Sequence, residues 1–150
     1  MNKVIVAALL SGLPMIGYCA DELSEVCTQV YGAAVDAAAA AISHDAKTIT
    51  AMKKVTAPRS EIARLKGADA ELLRSLNDIV DEAFGALPVD QLTYPVYRAE
   101  ICQRRLSGKP VPADFKVTQP KLLECSKKPR DEAIPCAMEV AGSSRSDDGA

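Results

Sequence analysis

Cysteine, histidine and clustered carboxylates are the side chains of this chain that can carry chemistry, and their spacing decides which chemistry. Cys27, Cys102, Cys125 and Cys136 form an even set in the body of the sequence, with Cys19 in an apolar leader. None sits in a CxxC, CxxCH or closely paired arrangement, so redox exchange, haem attachment and zinc binding are not what the spacing suggests. A catalytic cysteine needs a histidine base, and the chain has a single histidine, His44, beside Asp45. That pair is the one acid/base arrangement of its kind, and a lone histidine at a helix end ordinarily reads as a solvated residue. Asp78, Asp81 and Glu82 cluster on one stretch, where a metal or proton-transfer role requires burial or convergence. Their expected place is an exposed helix face, with Arg74 and Asp78 as an i,i+4 pair. Lys127, Lys128 and Arg130, with Lys121 nearby, form a small basic cluster suited to an acidic partner or anionic lipid. Walker, GxGxxG, GxSxG and HExxH patterns are absent. The sequence therefore assigns no catalytic residue, no metal ligand and no cofactor.

The elements that must position these residues follow from hydrophobic period. Residues 69–87, DAELLRSLNDIVDEAFGAL, give the clearest stripe, through Leu72, Leu73, Leu76, Ile79, Val80, Ala83, Phe84 and Leu87. Asp69 is the expected N-cap, and Gly85 with Pro88 the expected stop. Before it, residues 22–43 place Cys27, Val30, Tyr31, Ala34, Ala37, Ala38 and Ala41 on one helical face. Seven of the nine residues from Ala33 to Ala41 are alanine, which favours helix and close approach of a neighbour. Asp45 caps a second segment reaching Ala57, and Pro58 ends it. Ser60 begins a short turn through Ile62 and Leu65 that Gly67 closes. A further helix, capped by Asp90 or Thr93 and carrying Pro95 in its first turn, runs to Leu106. Its inner side is Tyr97, Ile101, Cys102 and Leu106, and its outer side Arg98, Gln103 and Arg104.

Beyond Gly108 five of the nine prolines fall in 27 residues, Pro110, Pro112, Pro120, Pro129 and Pro135. That density predicts an irregular arm with at most a short helix at 121–127. The expected fold is all-α, a small bundle of four or five helices over residues 21–108, with a proline-rich, disulfide-looped arm over 109–142 and a disordered tail over 143–150.

At 150 residues the chain has room for one core, and 48% hydrophobic with 25% charged residues is a globular composition. The formal charge of −2 argues against a nucleic-acid partner, which requires a concentrated basic face. Lys3, the apolar run from Val4 to Leu10 and the small residues near Ala20 read as a secretory signal over residues 1–20, too short for a permanent membrane span. Lipidation at Cys19 is the competing reading, opposed by the bulky Tyr18 before it. Removal of the leader takes Lys3 with it, so the mature charge becomes −3. Export to the periplasm or beyond makes two disulfides the natural state of the remaining cysteines. Cys27–Cys102 with Cys125–Cys136 is the favoured pairing, since the first joins the inner faces of two helices and the second closes a short loop. The functional expectation is an exported, non-catalytic binding or interaction protein of the inhibitor, immunity-factor or holding-chaperone kind. Its partner would be a protein of the cell envelope or outside it, with Lys127, Lys128 and Arg130 as the candidate interaction loop. The alternatives are a small periplasmic enzyme using His44 and Asp45 or the carboxylates of residues 78–82, and a carrier of a small apolar ligand.

Overall fold

The chain folds as helices packed around one that is buried on nearly every side. A computed structural model describes residues 24–143; the signal over 1–20, Cys19 and all of the tail but Ser143 lie outside the described residues. Within them are α1 (Glu25–Ser43), α2 (Ala46–Lys54), α3 (Arg59–Ile62), α4 (Gly67–Ala83), α5 (Thr93–Leu106), α6 (Phe115–Ser126) and α7 (Arg130–Gly142). The described residues are all-α, as the periodicity predicts.

α1 starts where Ser24 accepts the amide of Cys27. It buries Cys27, Val30, Ala34, Ala37, Ala38 and Ala40 against α4 and α5. Its small side chains let those two helices lie close, as the alanine run implies. α1 is also long and apolar enough to cross a membrane, yet here its alanine face belongs to the shared core. His44 ends it in the left-handed region (φ 54°), and Asp45 at once caps α2 by accepting the amides of Lys47 and Thr48. α2 stops at Lys54, short of the expected Ala57, and buries no residue. Gly67 takes the left-handed conformation expected of it (φ +69°), which a side chain would resist, so α4 begins there rather than at Asp69.

The organising helix is α5, although residues 69–87 carry the clearest apolar stripe in the sequence. Every residue from Thr93 to Ala99 is buried, because α1 and α4 cover one flank of α5 while α6 and α7 cover another. Asp90 supplies its cap, accepting the amides of Leu92 and Thr93, and Thr93 Oγ1 donates to the same carboxylate. Arg98 therefore lies inside, not on the outer face expected for it, and Leu106 is 39% exposed.

The proline-rich arm is a second correction. Residues 115–142 form a helical hairpin, α6 and α7, joined by Cys125–Cys136 and packed on α5. Prolines did not break these helices because of where they fall. Pro129 stands at the N-cap of α7, where a missing amide is harmless. Pro120 and Pro135 are interior but exposed, so the carbonyls they leave unbonded are those of Lys116 and Asp131 on the wet side. The opposite faces bury Phe115, Leu122, Cys125, Ala133, Ile134, Ala137, Val140 and Ala141. Phe115 sets its ring against Tyr94 and Tyr97, 5.6 and 5.8 Å between centroids. Gln119 donates to the carbonyl of Pro88 and ties the hairpin to the α4–α5 connection. The other disulfide, Cys27–Cys102, joins α1 to α5 (Cα–Cα 5.6 Å), so both pairings are those the spacing favoured.

Candidate functional site

Three carboxylates of α4 meet two guanidinium groups of α5 in an antiparallel ladder. Glu71, Asp78 and Glu82 are seven and four residues apart, which keeps them on one helical side; Arg98 and Arg105 are seven apart on the helix running the other way. Arg98 Nη1 reaches Glu82 Oε1 at 3.3 Å and its Nη2 reaches Asp78 Oδ2 at 3.0 Å. Arg105 Nη1 lies 3.0 Å from the same Asp78 oxygen and 3.5 Å from Glu71 Oε1. Glu71 also accepts from Ser75 Oγ (2.9 Å) and pairs with Arg74. Tyr94 donates its hydroxyl to Glu82 Oε2 at 3.0 Å.

The ladder is deeply set, which gives it its electrostatics. Arg98 is 2% exposed at the side chain, Asp78 16% and Glu82 14%. Burial pushes the Glu82 carboxyl above its usual value, and the Arg98 charge only partly offsets it. Burial also pushes the Tyr94 hydroxyl well above the ordinary tyrosine value, helped by the neighbouring Glu82 charge, so it remains a donor. For Arg98 burial works against the charge, but the Glu82 and Asp78 carboxylates outweigh it and hold the guanidinium protonated. Its Nε is the one buried side-chain polar atom without a hydrogen-bond partner among the described residues. The guanidinium carbon lies 6.0 Å from the Tyr97 ring centroid, an attraction to the ring face that compensates in part.

Above the ladder lies a cleft of about 400 Å³. Its floor is Asp78, Glu82, Arg98 and Arg105, one wall is the end of α4 with the turn that follows it as far as Leu87, and the other is the 112–116 stretch entering α6. Gly85 lines it, and a Cβ there would sit 2.6 Å from the Asp81 carbonyl oxygen, so the chain passes too close for any other residue. Arg59, paired with Asp81 at 3.3 Å on the exposed rim, also borders a second hollow of about 240 Å³ beside Arg74 and Arg105.

Both signs keep uncommitted atoms around the cleft. One Asp78 oxygen is taken by two arginines, and both Glu82 oxygens are taken by Arg98 and Tyr94. Arg105 bonds through Nη1 alone, Arg59 through Nη2 alone, and the Lys116 ammonium has no partner among the described residues. The cleft thus keeps open donors on Arg59, Arg105 and Lys116, beside open oxygens on Asp78, Asp81 and Asp114, and its four lining cations balance its four lining carboxylates.

The residues singled out in the sequence are distributed otherwise. Asp78 and Glu82 are not an exposed face but the acidic side of the ladder, while Asp81 is exposed. Arg74 pairs with Glu71, not with Asp78, because Asp78 is engaged by α5. His44 is exposed at a helix end, and Asp45 spends its carboxylate on capping. The hydroxyl of Thr48, then its amide, holds Asp45 below the usual aspartate value. Lys127, Lys128 and Arg130 lie exposed at the α6–α7 turn, Lys127 paired with Glu124. Sequence reasoning missed Arg98, Arg105 and Glu71. The signal present was the matched spacing of acids in one helix and cations in the next, which becomes visible once the two are taken as antiparallel. No protein-family model matches the chain, and no curated protein or solved structure matches it either.

Proposed function

We propose that this chain is an exported, non-catalytic binding protein that receives a carboxylate-bearing group of a protein partner in the cleft between α4, α5 and the start of α6. Two disulfides in a chain of this size, together with its apolar beginning, are consistent with export. The observation that carries the binding reading is the set of three cations with open donors around the ladder's cleft. Asp78 and Glu82 are held by arginine and tyrosine, leaving Arg105, Arg59 and Lys116 to offer unfilled hydrogen-bond donors around one hollow. A carboxylate placed there replaces water on several charged donors at once, the strong class of hydrogen bond. The engagement of both Glu82 oxygens favours binding over proton transfer at that residue, because an acid/base group needs an open oxygen facing the reacting atom.

Succinate is a suitable small probe, followed by amide chemical shifts in the labelled protein. Shifts should cluster at Gly85, Ala113 and Lys116, and charge reversal by Arg59→Glu with Lys116→Glu should abolish them. Shifts confined to the 127–130 turn, or spread evenly over the surface cations, would contradict the assignment.

A further inference from the structure

Charge along the folded chain is unevenly distributed in a way the near-neutral total conceals. Residues 46–66, which hold α2, α3 and their connections, carry Lys47, Lys53, Lys54, Arg59, Arg64 and Lys66 against the single carboxylate of Glu61. Arg59 is paired with Asp81, but Lys47, Lys53, Lys54, Arg64 and Lys66 have no ion partner among the described residues. The same stretch leaves apolar side chains in water: Val55 is 55% and Leu65 41% exposed, and Ile42 just before it 54%. α2 buries nothing completely and lies against α1, with Ile49 and Met52 half-buried and Met52 packed on the core. Its outward face is Lys47, Thr50, Ala51 and Lys54, with Val55 following at the C-cap.

We infer that this stretch is a peripheral docking surface for an anionic phospholipid membrane. Charge complementarity selects an acidic surface, and the kind of cation narrows it. Four of the six are lysines, long flexible point charges that reach scattered phosphates without demanding fixed bidentate geometry. Single aliphatic side chains beside them suit shallow insertion among headgroups, as in interfacial amphipathic segments. Each cation near such a surface strengthens binding roughly fivefold, and salt weakens it. Arg59 borders the cleft as well, so the test is carried by Lys53, Lys54 and Val55, none of which lines the cleft.

The experiment is vesicle flotation of the purified mature protein, with phosphatidylcholine vesicles containing phosphatidylglycerol and with phosphatidylcholine alone. The protein should float with the anionic vesicles, remain behind with the neutral ones, and be released by high salt. Lys53→Glu with Lys54→Glu should lower partition by at least roughly tenfold with unchanged melting. Val55→Ser should lower it a few-fold at constant charge. Lys127→Glu with Lys128→Glu, an equally exposed pair, should leave it unchanged. Failure to float with anionic vesicles overturns the inference, as does an equal loss in the 127/128 variant. Retention on polyglutamate without vesicle binding also overturns it, because the surface then serves an acidic protein.

Discussion

Arg98 is held inside the molecule by two carboxylates, Asp78 and Glu82, and the three groups do not respond alike to substitution. Arg98→Met leaves the Glu82 carboxylate without its cation and Asp78 with Arg105 alone. It should cost about 3–5 kcal/mol in denaturant unfolding, the usual penalty for an orphaned buried charge. Glu82→Gln behaves differently. The Glu82 pKa is raised in the folded state, so the folded state favours the protonated form more than the unfolded chain does. Stability from this group is complete below the ordinary glutamate value and is lost as pH rises through the raised folded value. A neutral glutamine mimics the protonated form. Glu82→Gln should therefore cost nothing at neutral pH, and any gain over wild type should vanish on acidification below the glutamate range. A large loss for Glu82→Gln at neutral pH would mean that the Arg98 attraction, not burial, dominates at Glu82.

At the scale of elements, the α6–α7 hairpin changes what the second disulfide does. A proline-rich arm that buries little would lose Cys125–Cys136 with hardly any effect on melting. The hairpin instead contributes Phe115, Leu122, Ile134 and Val140 to the core around α5. Cys125→Ser with Cys136→Ser should therefore lower stability by about 3 kcal/mol on the chain-entropy account, against about 4.5 for the α1–α5 link. Calorimetry of the two double variants checks this, and an unchanged melt in the first would return the hairpin to the status of an arm. Helix existence was legible in α1 and α4 because their apolar residues repeat at helical spacing. The hairpin was not, because proline density reads as a breaker unless one knows that Pro120 and Pro135 face solvent. The inner and outer sides of α5 were misread for a related reason. A helix covered by four others needs no polar face, so Arg98 could be buried by a partner that only the tertiary arrangement supplies.

For the whole molecule, the ladder and the cleft are one construction: the ion pairs that hold α4 to α5 also form the floor of the hollow. The covalent framework was fully readable from cysteine count and spacing, since few pairings suit helices that must share a core. The site was half readable. Asp78 and Glu82 stood out by type, but their partners lie sixteen to twenty-seven residues away, and a single sequence does not align them. The central claim is that a partner is held by the free donors around this cleft, and native co-purification from the cell envelope tests it most directly. Wild-type protein should bring down a stoichiometric protein partner. Arg59→Glu with Lys116→Glu should lose that partner while keeping the wild-type melting temperature, and Lys127→Glu with Lys128→Glu should keep it. Capture of the same partner by the cleft variant, its loss from the 127/128 variant alone, or no stoichiometric partner for the wild type would contradict the account.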